Sequence, residues 1–173
     1  MSWWRRSLHT ALCGLLLGGL VLVAGQPASA MSGSGPKVVN SGFIHCVVGV
    51  ATIDHWSPGV FSGNLGYADA YLYSRDLNGA CTRPATGQGR ARVDVQVWTD
   101  SGWSHCRGSD WAYGAFGWTG GELGGPYGPK KILDYGGSAS CGAGYYRAVA
   151  TVEHDNNGGW VGGSVNSPYE WVD

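Results

Sequence analysis

The sequence has no cluster of basic residues. Of its 11 Lys and Arg, only Arg5-Arg6 and Lys130-Lys131 are adjacent. Beyond residue 30 there are nine Lys and Arg against twelve Asp and Glu, a formal charge of −3. Nucleic acid needs Lys and Arg to neutralise its phosphates, and an anionic membrane surface needs a polybasic segment. The composition argues against both partners. Catalytic signatures are just as sparse. There is no G-x-S-x-G elbow and no H-E-x-x-H, and the Gly-rich stretches lack the Lys-Ser/Thr ending of a P-loop. There is no C-x-x-C and no histidine pair at ligand spacing, so no metal and no cofactor is expected. No window carries a helical period, and the 31 Gly are too frequent for long helices.

The strongest positive signal is at the start. Arg5 and Arg6 precede a charge-free apolar run from Ala11 to Ala24, and Pro27-Ala28-Ser29-Ala30 follows with small residues. This pattern predicts a secretory signal peptide, residues 1–30, cleaved after Ala30. The apolar run is shorter than the ~20 residues of a spanning helix, and no later stretch is long enough, so no membrane anchor is expected. Trp3, Trp4, His9 and Cys13 then play no part in the mature fold. The remaining 143 residues are enough for one domain with its own core.

Residues 31–42 open with Ser32-Gly33-Ser34-Gly35-Pro36, a composition that suggests a flexible N-terminal arm. Lys37-Val38-Val39 is its strand-prone part and its candidate partner-binding segment, able to add to an exposed sheet edge. The alternative is a first edge strand. Residues 43–173 alternate strand and turn. Strands are expected over Phe43–Ile53, Tyr67–Arg75, Arg92–Trp98, Ile132–Leu133, Tyr145–Glu153 and Trp160–Val172, the last interrupted near Pro168. Within Arg92–Trp98 the residues Val93, Val95 and Val97 share one face, with Asp94 and Gln96 on the other. Such alternation, with Asp100-Ser101-Gly102 and Asp155-Asn156-Asn157-Gly158-Gly159 as turns, points to an all-β antiparallel β-sandwich. Four cysteines remain after residue 30: Cys46, Cys81, Cys106 and Cys141. In an exported chain they imply two disulfides. Ser41-Gly42-Phe43-Ile44-His45-Cys46 echoes Ser101-Gly102-Trp103-Ser104-His105-Cys106, and in each copy the next Cys lies 35 positions on. A duplicated β unit would pair Cys46 with Cys81 and Cys106 with Cys141.

Gly144-Tyr145-Tyr146-Arg147-Ala148 resembles the entry to strand F of immunoglobulin-like domains, although no Cys lies two residues after Tyr146. The resemblance implies that Tyr146 is a tyrosine corner and residues 160–172 are strand G, in an immunoglobulin-like or related Greek-key sandwich. In plan (signal, short arm Lys37–Asn40, four-Cys sandwich) the chain is also similar to small secreted β-sandwich proteins of actinobacteria. Among them are the adaptor subunits of secreted umbrella toxin particles. That similarity implies a non-catalytic adaptor in an extracellular toxin-like assembly, its arm docked to one secreted protein and its sandwich to another.

Candidate sites follow from residue type. Trp111, Tyr113, Phe116, Trp118 and Tyr127 lie among glycines between Asp110 and Gly128. Aromatic rings give large contact area with few rotors to freeze, so Trp111, Tyr113, Trp118 and Tyr127 are candidates for a partner- or glycan-binding loop. The alternative is that several roof the core. A carbohydrate-binding module is the second functional reading. A hydrolase or protease inhibitor is the third. A hydrolase needs Asp54, His55, His154 and Asp155 to share a cleft, or Asp110 and Glu122 to act as paired carboxylates. An inhibitor needs a rigid loop, with Trp56–Phe61 the candidate.

Overall fold

A computed structural model describes residues 30–55, 63–120 and 124–173. Among the described residues, thirteen strands form two antiparallel sheets packed face to face, with one helical turn. The first sheet is built on the pair β3 (His45–His55) and β4 (Leu65–Arg75). The short β1 (Ala30–Gly33) and β2 (Lys37–Ser41) share the far edge of β3, while β5 (Cys81–Pro84) and β10 (Lys130–Asp134) share that of β4. The second sheet is built on β6 (Gly87–Thr99) and β11 (Gly144–Asn156). Next to β6 run β7 (Gly102–Gly108) and β8 (Ala112–Trp118), with β9 (Pro126–Tyr127) on β8. Next to β11 run β12 (Gly159–Asn166) and β13 (Glu170–Val172), broken at Pro168.

The expected all-β sandwich with two disulfides is what the chain adopts. Alternation sorts each strand: Val93, Val95 and Val97 of β6, and Tyr146, Ala148, Ala150 and Val152 of β11, are buried against Val47, Ala51, Ile53, Ala68, Ala70 and Leu72 of the first sheet. Each such valine contributes on the order of 1.5–3 kcal/mol by leaving water. Small residues let the sheets meet closely. A Cβ on Gly66 would lie 2.7 Å from Cγ2 of Val95, so only glycine fits beneath β6. The β11–β12 hairpin closes through Asn157 (φ 55°) and Gly158 (φ 89°), both left-handed as a two-residue primed turn requires.

The disulfides pair Cys46 with Cys81 and Cys106 with Cys141, each across 35 positions. The duplication that suggested this pairing is not a structural one. Cys46 lies on a long central strand whose partners are all in the first sheet, whereas Cys106 lies on the edge strand β7 and Cys141 ends the helical turn α1 (Ser138–Cys141). Tyr146 forms a tyrosine corner: its hydroxyl donates to the Gly142 carbonyl at 2.6 Å. Strand order departs from the immunoglobulin arrangement: β3 and β4 are consecutive and adjacent, where that fold sets B beside E, and β10, the strand before β11, lies on the far edge of β4.

The segment expected as a flexible arm is strand-paired. Ser34 trades both backbone bonds with Ala51 through its N–H and its side-chain oxygen, and β2 runs along β3 with a bulge between Val38 and Asn40. The bulge turns Val39 inward against the core, over Gly49 and Gly163. Lys37 and Val38 stay exposed. The expected aromatic loop is also largely strand. β8 pairs with β6 and buries Phe116.

Candidate binding face

The outer face of the second sheet is where the aromatic residues gather. With Val93, Val95 and Val97 inward, Arg90, Arg92, Asp94, Gln96 and Trp98 of β6 point out, as do Tyr145, Arg147, Thr151 and Glu153 of β11. The register sets Arg90 opposite Glu153 and Gln96 opposite Arg147. These two cross-strand pairs are six residues apart on each strand, about 20 Å along the sheet. Each is the centre of an aromatic nest.

In the first nest the Arg90 guanidinium lies between the rings of Trp111 (4.2 Å to the centroid) and Trp160 (4.3 Å), with Tyr113 edge-on to Trp160. Its Nε and Nη2 both donate to Glu153 Oε2, at 2.6 and 2.5 Å. Arg92 also lies over the Trp111 ring, 4.8 Å from its centroid. The arginine at the centre of this nest, Arg90, is closed off by an internal carboxylate.

In the second nest Arg147 lies 4.4 Å over the ring of Trp103 and donates from Nε and Nη2 to Gln96 Oε1, at 2.9 and 2.8 Å. Trp98, Trp103, Tyr145, Arg147, Ser167 and Tyr169 line an open cleft of about 530 Å³ around it. Three ring pairs meet at steep angles, Trp98 on Trp103 at 77°, Tyr145 on Tyr169 at 77° and Tyr145 on Trp171 at 78°, while Trp103 and Tyr169 are tilted at 42°. Trp98, Tyr169 and Trp171 are 52, 63 and 51% exposed. Burial pushes the Arg147 guanidinium down from its ordinary value. Between the nests Asp94 bonds His105, and Thr151 bonds Ser164 at 2.9 Å.

The expected site residues divide. Trp111 and Tyr113 belong to the closed nest, with Trp111 half-buried and Tyr113 exposed. Trp118 and Tyr127 are exposed on the β8–β9 ladder, apart from both nests in their ring contacts. Trp98, Trp103, Tyr145, Arg147, Tyr169 and Trp171 were not singled out in the sequence. Trp98 was legible, the next outward position after Asp94 and Gln96; the others come from β7, β11 and β13 and from the bend before β13.

The acid–imidazole groups do not come together. His45 and His154 meet edge-on at 5.8 Å at one end of the sandwich. His55 ends the 11-residue β3, about 33 Å from His45 at strand rise, and Asp54 and His55 therefore lie at the opposite end from His154 and Asp155. There, His55 Nδ1 bonds Asn64 Oδ1 at 2.6 Å, and the Tyr135 hydroxyl faces the Asp54 carbonyl at 3.4 Å. Beside them Glu170 is 8% exposed, and its Oε2 has no hydrogen-bond partner among the described residues. Burial, with a smaller push from Asp54, raises its carboxyl to about 7. Asp110 is exposed before β8; Glu122 and the Trp56–Phe61 loop lie outside the described residues. Among the described residues no three His, Cys, Asp or Glu are grouped to hold a metal ion, and no helix is long and apolar enough to cross a membrane. The two disulfides fit an oxidising, extracellular environment. The chain matches no family model, no curated protein and no solved structure.

Proposed function

We propose that this chain is a secreted, non-catalytic protein-interaction module, an adaptor or subunit of an extracellular, toxin-like assembly, which docks through the outer face of its second sheet. The observation that carries this reading is the open nest: Trp98, Tyr145 and Tyr169 exposed around Arg147 and the half-buried Trp103, with the exposed Trp171 edge-on to Tyr145. Trp, Tyr and Arg are the residues that dominate protein–protein hot spots, and a concentrated exposed aromatic patch marks an interaction surface. The ring angles favour protein over glycan. A sugar chain stacks on ring faces held open along its length, whereas three of these four ring pairs pack edge to face and wall in a space for a compact side chain.

A second docking surface is the outer edge of β2, where Lys37 and Val38 are exposed and the only strand partner among the described residues is β3. A partner strand adding there would gain main-chain hydrogen bonds. Export by the N-terminal signal belongs to the same reading. The test is recovery of tagged protein from its own culture supernatant, with co-purifying proteins identified by mass spectrometry. Stoichiometric partners lost on Trp103→Ala or Tyr169→Ala support docking through this face. Quenching of Trp fluorescence by soluble polysaccharide, with no protein partner, favours the carbohydrate-binding alternative.

A further inference from the structure

The two nests share a central arrangement and differ in the group that holds the arginine. Both centre on an arginine laid on a tryptophan ring, and both hold its Nε and Nη2 with a side-chain oxygen from the facing strand. At Arg90 that oxygen is the carboxylate of Glu153; at Arg147 it is the neutral amide of Gln96. A guanidinium withdrawn from water is ordinarily matched by an anion. Arg147 has no carboxylate within ion-pair distance among the described residues, and two of its five N–H groups are engaged. The engaged pair is the Nε–Nη2 edge. The other edge, Nη1 with the second Nη2 hydrogen, leaves a second pair of parallel donors able to take a carboxylate.

We propose that the Trp98–Trp103–Tyr145–Tyr169 cleft reads an acidic side chain of a partner protein. The carboxylate docks end-on against Arg147, and an adjoining aromatic or aliphatic residue fills the space between the rings. Among the described residues the cleft offers one cation, Arg147, and no second one, which suits a monoanionic carboxylate better than a dianionic phosphate. Gln96 holds the guanidinium over the Trp103 ring, so the donor edge is set before the ligand arrives, and little ordering is left to oppose binding. This inference rests on reading the face as a protein-docking surface.

The test uses a matched pair of peptides, acetyl-Gly-Glu-Phe-Gly-amide and the same peptide with Gln for Glu, titrated to about 10 mM to reach millimolar dissociation constants. The readout is the indole and guanidinium NMR signals of the mature protein. The acidic peptide shifts the Trp98, Trp103 and Arg147 signals and binds about tenfold more tightly than its amide twin, the scale of one charge-assisted hydrogen bond. Arg147→Met erases the difference, and Arg147→Lys, which keeps the charge and loses the fork, restores part of it. Equal binding of the two peptides overturns the carboxylate assignment and leaves the docking face standing. No shift at the nest with either peptide overturns the assignment as well. A glucuronate disaccharide that shifts these signals where the peptides do not overturns both the assignment and the protein-docking reading.

Discussion

The hydroxyl of Tyr146 reaches back four residues to the carbonyl of Gly142, and its ring stacks on Tyr135 at 5.3 Å between centroids. Both rings are fully buried. The bond fixes the crossing from α1 into β11 and satisfies a carbonyl left by that turn. Tyr146→Phe keeps the stack and removes the bond, so it is expected to cost roughly 1–2 kcal/mol. Urea unfolding measures this. A change no larger than a few tenths of a kcal/mol would show that the corner does not hold the strand.

Glu170 predicts a distinctive pH dependence. Its carboxyl is raised from 4.5 to about 7 in the folded protein, chiefly by burial. Between these values the folded state binds the proton and the unfolded state does not. Stability from this group is therefore full below about 4.5, falls as pH rises, and is lost above about 7. His154 acts in the opposite sense: burial and His45 lower its pKa, so stability falls as pH drops below the ordinary 6.5. Glu170→Gln should remove the first slope and raise stability at pH 8 on the order of 2 kcal/mol. An unchanged slope between pH 5 and 7 in the variant would assign it to another group.

The two disulfides close loops of equal length, 35 positions each. Loop-closure entropy then predicts similar contributions, about 3–4 kcal/mol each. The double variants Cys46→Ala/Cys81→Ala and Cys106→Ala/Cys141→Ala, compared by denaturant unfolding, should lose comparable stability. A much larger loss for Cys46 and Cys81 would mean that packing around the fully buried Cys46 matters more than the cross-link.

Much of the sandwich was legible because burial alternates along long strands. β6 and β11 declare themselves through Val93, Val95, Val97 and Val149 to Val152, and the turn at Asn157-Gly158 needs left-handed backbone that those residues accept. The short edge strands were not legible. β1 and β2 are pinned by β3, and nothing in Ser32-Gly33-Ser34 distinguishes a paired edge from a linker. β8 hid for a related reason: Gly114 and Gly117 interrupt its pattern, and its aromatics read as a loop. The open nest was least legible of all. It forms where β6, β7, β11, β13 and the bend before β13 come together, a product of strand order that no local spacing encodes.

The central claim is that the exposed nest around Arg147 docks a partner protein. The most direct measurement is the native mass of tagged protein secreted by its own host, for the wild type and for Trp103→Ala/Tyr169→Ala, with the fold of both checked by thermal unfolding. The account predicts a large species with stoichiometric secreted partners for the wild type and its collapse to a monomer in the folded variant. A wild-type protein recovered as a monomer, or a variant that keeps every partner, would contradict it.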